Sequence, residues 1–112
     1  MNSLVTNLTD GARVPAAGFS VEGIAWDSGH GIRTVELSTD AGATWQAAQL
    51  GHDYGRFAFR PWSLTLPARK LGPITVMVRA TSNSDETQPA KLSFDPAGYN
   101  DNVMQSLRLN AA

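Results

Sequence analysis

Apolar and polar residues alternate in short runs along most of this chain, with the period of two that is typical of half-buried strands. The clearest run begins at residue 32, where Val35 and Leu37 alternate with polar neighbours. Residues 40–43 then break the alternation with an aspartate and a glycine, and the glycine can take a positive φ at no steric cost. An extended run restarts at Thr44. Residues 32–46 therefore predict a β-hairpin.

The same alternation predicts six further strands, each bounded by Gly, Pro or Asp turn signals. They cover residues 3–8, 19–26, 57–66, 74–80, 88–94 and 103–109. Pro61 lacks an N–H group, so a bulge, bend or edge position is expected there. No apolar period of 3.6 residues persists long enough for a helix. The pattern predicts an all-β, immunoglobulin-like (early-set type) sandwich of seven or eight strands, with residues 1–112 forming a single domain.

Composition and charge remove several classes of function. The net charge of -1 leaves no basic excess to neutralise phosphates, so a nucleic-acid partner is not expected. No apolar run is long enough to span a membrane, and the first residues lack the basic start and apolar core of a signal peptide. The chain has no cysteine, which excludes disulfides, thiolate nucleophiles and cysteine metal ligands.

Two histidines are the main candidates for chemistry. His30 and His52 lie in glycine-containing turns, and Asp27 and Asp53 are the nearest additional ligands for a metal ion. The simpler interpretation is that both histidines are solvated loop residues. No Gly-x-Ser-x-Gly motif is present to support a hydrolase.

The large aromatic residues point instead to a binding surface. Trp26, Trp45, Trp62 and Tyr99 could line a sugar site or a protein interface. We interpret Trp45 and Trp62 as core residues. Trp26 and Ile24 share the opposite face of their strand from the small apolar residues, so they form an apolar strip that a partner would cover.

The order of several segments resembles a known family. The chain resembles the C-terminal dimerisation domain of molybdenum-cofactor oxidoreductases, the group containing sulfite oxidase, bacterial sulfite and sulfane dehydrogenases, and plant nitrate reductase. The order Val-Glu-Leu-Ser-x-Asp-x-Gly-x-x-Trp in residues 35–45 is the most specific part. The other matching segments are residues 21–26, Trp62, 78–81, 88–89 and 96–103.

This resemblance implies a non-catalytic dimerisation or accessory domain, or subunit, of a molybdopterin-dependent oxidoreductase of the sulfite oxidase type. In the family, molybdenum and its pterin are held in a preceding domain, partly by a cysteine, so this chain is expected to bind no cofactor and to be inert alone. The implied partners are a second copy and a molybdopterin-binding catalytic domain or subunit. We expect the homodimer to use one sheet face of adjacent strands, with Ile24, Trp26, Arg33 and Glu36 as candidates. The candidates for contact with the catalytic domain are Asp95, Ala97, Tyr99, Asn100 and Asn102.

One position departs from the family. Animal sulfite oxidases place a substrate-binding arginine where this chain has Ala97, so a sulfite-binding role is not transferred. The resemblance favours a periplasmic location. Two alternatives stay open: a generic immunoglobulin-like module that binds carbohydrate or protein, and a small enzyme.

Overall fold

The computed structural model describes residues 2–27, 29–55, 58–67, 69–84, 87 and 104–112. Nine strands and no helix occur in these ranges. Accordingly, the described residues contain no helix that could cross a membrane. The strands are β1 Asn2–Val5, β2 Arg13–Val14, β3 Gly18–Trp26, β4 Ile32–Ser38, β5 Gln46–Ala47, β6 Gln49–Leu50, β7 Arg60–Pro67, β8 Gly72–Ser82 and β9 Gln105–Ala111.

The strands form two sheets. The four-stranded sheet has the order β1-β3-β7-β6, and the five-stranded sheet has the order β2-β9-β8-β4-β5. Neighbouring strands are antiparallel except for the short parallel pair of β2 and β9. Alternate residues of both sheets point inward and form one apolar core. This confirms the predicted all-β, immunoglobulin-like sandwich. The excess over eight strands comes from two-residue strands, which are too short to show alternation in a sequence.

Gly23 lets the four-stranded sheet close over Trp62. The two residues face each other across β3 and β7, and Trp62 is only 3% exposed, as predicted for a core residue. A Cβ atom on residue 23 would lie 2.1 Å from the carbonyl oxygen of Leu4 and 2.4 Å from Cζ2 of Trp62. Glycine is therefore required at this position because a side chain has no room.

The predicted hairpin is confirmed, but Trp45 is not a core residue. β4 pairs with β5, and Gly42 adopts a φ of 90° in the turn between them. Trp45 precedes β5 and lies half-buried on the outside of the five-stranded sheet, where the Arg79 guanidinium carbon lies 3.9 Å from the centre of its ring. Its Nε1 donates to the carbonyl oxygen of Gly42 at 3.1 Å. The turn therefore directs this ring away from the core.

Two strand predictions differ in detail from the structure. The first strand ends at Val5, because the Asn7 side chain takes over the hydrogen bonds of the neighbouring β3 backbone, to Glu22 N and Ser20 O. β7 begins at Arg60 and passes through Pro61 without a bulge. The carbonyl oxygen of Pro61 accepts from Gly51 N at 2.8 Å, and Arg60 Nε donates to Gly51 O at 3.4 Å where proline has no N–H. The predicted strand at residues 88–94 lies outside the described residues.

Candidate functional site

An apolar strip crosses the outer face of the four-stranded sheet. Leu4 of β1 is opposite Ile24 of β3, and Ile24 is opposite Pro61 of β7, so these three side chains lie in one row. They point outward because the alternation places their neighbours in the core. Leu4 is 43% exposed, and Ile24 and Pro61 are half-buried.

Aromatic residues extend this strip toward the end of the sheet. Trp26, half-buried, lies two residues beyond Ile24 on the same face of β3. Phe59, which directly precedes β7, is two residues from Pro61, on the same face, and is 49% exposed. The ring of Tyr54, itself 62% exposed, lies with its centre 5.9 Å from that of Phe59. We call the surface of Leu4, Ile24, Trp26, Phe59 and Pro61 the apolar end.

The other half of the same face is polar and satisfies its own hydrogen bonds. The Asn7 side chain binds the β3 backbone at Ser20 and Glu22, both at 2.9 Å. The hydroxyl groups of Ser20 and Thr65 are 3.0 Å apart. Where the two halves meet, Glu22 and Pro61 both line an open groove of about 540 Å³. The face therefore divides into a polar half, whose side chains form hydrogen bonds within the chain, and the apolar end.

The four predicted interface residues do not share one face. Ile24 and Trp26 lie on the four-stranded sheet, whereas Arg33 and Glu36 belong to β4 of the five-stranded sheet. The expectation that they lie on adjacent strands of one sheet is wrong. The chain crosses to the other sheet after β3, and there β4 pairs with β8. Glu36 also has a partner within the chain, since Arg79 Nε lies 3.1 Å from its carboxylate. Arg33 is exposed at an irregularity in the β4–β8 register.

The β4–β5 turn is held by a carboxylate. Asp40 accepts hydrogen bonds from the side-chain hydroxyl of Thr44, from the backbone N–H of Thr44 at 2.8 Å, and from the Ser38 hydroxyl at 2.7 Å. These donors favour the ionised form and lower the pKa of Asp40 to about 2, with the Thr44 hydroxyl contributing most. The sequence predicts an aspartate in a turn, but it does not identify Thr44 and Ser38 as the hydrogen-bond donors to its carboxylate.

The two histidines occupy separate local environments. His30 Nδ1 lies 3.3 Å from the carboxylate of Asp27, which is only 7% exposed. The His52 ring instead packs edge-on against Tyr54, with ring centres 4.7 Å apart, and Asp53 accepts from Gly55 N. In the part of the chain that the structure describes, no three His, Asp or Glu side chains gather as metal ligands would.

Sequence reasoning found part of the apolar end and missed the rest. It identified Ile24 and Trp26 but not Leu4 or Phe59. The signal was available for Leu4, which alternates with two inward residues of β1. The candidates for contact with the catalytic domain lie outside the described residues; they are Asp95, Ala97, Tyr99, Asn100 and Asn102.

Comparison with known proteins gives one consistent match. The family model of the Mo-co oxidoreductase dimerisation domain matches residues 1–111. Sulfite oxidase of Gallus gallus is 34% identical over 94 residues, which cover 80% of this chain and 20% of that protein. Nitrate reductase [NADH] 1 of Arabidopsis thaliana is 32% identical over 100 residues, which cover 82% of this chain and 11% of that protein. The chain thus spans about a fifth or less of these relatives.

A solved structure agrees at the level of the fold. The crystal structure of the sulfane dehydrogenase SoxCD from Paracoccus pantotrophus superposes with a TM-score of 0.74 at 20% sequence identity. The match covers 96% of this chain and 29% of that one. With the family model spanning nearly the whole sequence, the chain belongs to the Mo-co oxidoreductase dimerisation domain family.

Proposed function

We propose that this chain joins two copies of a molybdenum-dependent oxidoreductase by pairing its apolar end with that of a second copy. The observation that carries this proposal is the row of Leu4, Ile24 and Pro61 on the outside of a sheet, continued by Trp26. Membership of a family described by its dimerisation supports a second copy as the occupant.

The composition of the apolar end suits a two-fold interface. In a symmetric dimer the same patch lies on both partners, so it must be self-complementary. An apolar surface without charges meets this condition, since it brings no like charges together. Interface cores are also enriched in aromatic residues, and Trp26 and Phe59 would supply them here. Leu4 and Phe59, both more than 40% exposed, have the most surface to bury.

Catalysis would belong to a separate domain. The relatives named above are oxidoreductases several times longer than this chain. The chain has no cysteine, so it offers no thiolate to a molybdenum centre, and its donor set does not fit that group. We therefore derive no catalytic step from its residues. Its contribution to the enzyme would be geometric, with residues 95–102 reaching the catalytic domain.

A carbohydrate-binding module receives less support from the exposed aromatic rings. Sugar sites need rings that offer an accessible flat face to the ligand. The ring of Tyr54 makes an angle of 73° with that of His52 and of 49° with that of Phe59. These rings pack on one another and do not form a coplanar platform. Such tilted packing suits a protein interface.

Sedimentation velocity over a range of concentrations tests the proposal. We expect the unmodified chain to dimerise, and Ile24→Glu to keep it monomeric because a carboxylate would be buried without a partner. Leu4→Glu, at a more exposed position, repeats the test if Ile24→Glu disturbs folding. Thr75→Glu places the same charge at an exposed position of β8 in the other sheet and serves as the control.

The fold of each variant is checked by circular dichroism. A monomeric unmodified chain at high concentration would contradict self-association by this domain alone. Dimers that persist in folded Ile24→Glu and Leu4→Glu, or that dissociate in Thr75→Glu, would place the interface on another surface.

A further inference from the structure

A second surface of interest lies at the far end of the sandwich from the apolar end. In the β3–β7 pair, Ala25 and Arg60 mark the end near the apolar surface, and Gly18 and Pro67 mark the opposite end. Beyond Pro67, a pocket of about 470 Å³ opens between the β4–β5 turn and the connection leading into β8. Arg69 and Lys70 both line it.

Arg69, which lines this pocket, also carries a donor without a partner. Its Nε is buried and has no hydrogen-bond partner, although the side chain as a whole is only half-buried. Buried polar groups nearly always have a partner, so an orphaned charged donor needs an explanation. Its backbone is fixed, because Arg69 N donates to the carbonyl oxygen of Ala16 at 2.9 Å.

No carboxylate of a described residue forms an ion pair with this guanidinium. The ion pairs among the described residues join His30 to Asp27 and Arg79 to Glu36, and neither includes Arg69. Asp40 also lines the pocket, but its oxygens accept from Ser38 and Thr44 within its own turn. One carboxylate against two basic side chains leaves an excess positive charge.

The remaining lining could complete a site for an oxyanion. Thr39 and Thr75 place hydroxyl side chains along the pocket, and Lys70 is exposed beside Arg69. A guanidinium offers donors in a fixed fork that matches the oxygens of a carboxylate, sulfate or phosphate. An ammonium group beside it adds a second positive charge without fixing the orientation.

We propose that this pocket binds an oxyanion through Arg69 and Lys70, independently of self-association at the apolar end. The oxyanion could be a free small anion or the carboxylate of an acidic segment in a partner protein, because both present the same oxygens. Its position at the far end of β3 leaves it accessible in the proposed dimer.

The Nε–Hε resonance of Arg69 in a two-dimensional NMR spectrum reports on the state of its guanidinium. The probes are sodium sulfate and an acidic dipeptide, N-acetyl-Asp-Glu-amide, with sodium chloride at matched ionic strength as the reference. We expect a saturable shift of the Arg69 resonance that chloride does not produce. If the dipeptide binds at least 10-fold more tightly than sulfate, the source of the oxyanion is a protein carboxylate. If sulfate binds as tightly as the dipeptide or more tightly, the source is a free oxyanion.

Variants separate this site from general charge effects. Lys70→Gln should weaken binding several-fold, as followed on the Arg69 resonance. The backbone amides of Thr39 and Thr75 should also shift saturably in the unmodified chain, and Arg69→Gln should abolish these shifts. Arg13→Gln removes an exposed arginine elsewhere and should change neither affinity nor saturation. An Arg69 resonance that moves equally with chloride, or backbone shifts that survive Arg69→Gln, would overturn the proposal whatever the oligomeric state.

Discussion

The outer faces of the two sheets use the same strand geometry in opposite ways. On the five-stranded sheet, outward residues meet polar partners: Glu36 is opposite Arg79, Thr34 is opposite Thr81, and Thr75 is opposite Arg108. On the four-stranded sheet, Leu4, Ile24 and Pro61 have one another as cross-strand partners, so this row is apolar throughout.

This difference distinguishes a surface whose side chains have partners within the chain from one that leaves apolar side chains exposed. On the five-stranded sheet Glu36 and Arg79 form an ion pair, and the Arg79 guanidinium also covers the Trp45 ring. The apolar end has no comparable cover among the described residues. Apolar residues scattered singly on a surface are ordinary, but a contiguous row marks a site of contact. Four experiments, ordered by expected effect, test this contrast.

Gly23→Ala should have the largest effect, because it breaks the four-stranded sheet itself. The added methyl group would overlap the Leu4 carbonyl and the Trp62 indole, and the first of these is backbone. We expect a loss of at least about 3 kcal/mol in the free energy of unfolding, measured by urea denaturation. Gly11→Ala is the control, since its φ of 85° brings strain but nothing lies within 4 Å of the added atom. That variant should lose about 1 kcal/mol. Equal losses would show that the close approach at Gly23 is not limiting.

Two tryptophans allow a matched test of the apolar end. Trp26 lies half-buried on the outer face of the four-stranded sheet, and Trp45 lies half-buried outside the other sheet. Trp26→Ala should weaken self-association by about 2 kcal/mol, or roughly 30-fold in Kd, as measured by sedimentation equilibrium. Trp45→Ala should leave Kd unchanged while the variant is folded. The opposite ranking of the two variants would move the interface to the five-stranded sheet.

On the five-stranded sheet, Arg79 and Trp45 should show energetic coupling. The guanidinium lies 3.9 Å from the centre of the ring, a distance at which a cation–π contact is favourable. A double-mutant cycle with Arg79→Gln and Trp45→Leu should give a coupling energy of about 0.5–1 kcal/mol in thermal or urea unfolding. Arg13→Gln, an exposed arginine on β2, is the control and should give additive losses with Trp45→Leu. A coupling near zero would mean that the stacked geometry contributes nothing to stability.

Features of the fold that depend on neighbouring residues could be predicted from the sequence, whereas those that depend on residues far apart in sequence could not. Alternation in residues 19–26 and 74–80 is local, so the sequence identified β3, β8 and their core faces correctly. The assignment of β3 and β4 to different sheets depends on pairing between β4 and β8, which are far apart in sequence. The predicted grouping of Arg33 and Glu36 with Ile24 and Trp26 is wrong for this reason. The stacking of Arg79 on Trp45 is likewise a contact between residues that are far apart in sequence.

Asp40→Asn should have the smallest effect, and only at low pH. The pKa of Asp40 falls from 3.8 to about 2 because Thr44 and Ser38 donate to its ionised form. In that window the unfolded chain binds more protons than the folded chain, so the contribution of Asp40 is complete above pH 4 and is lost as the pH falls toward 2. Unfolding free energies measured between pH 2 and 6 should therefore fall less steeply for Asp40→Asn than for the unmodified chain in the lower half of that range. Glu22→Gln, on the polar half of the other face, is the matched control and should leave the slope below pH 4 closer to that of the unmodified chain. Identical slopes for Asp40→Asn and the unmodified chain would show that the turn is not held by the ionised carboxylate. The turn also places Trp45 beside Arg79. If the ionised carboxylate does not hold the turn, another interaction must keep the Trp45 ring against Arg79 on the outer face of the five-stranded sheet.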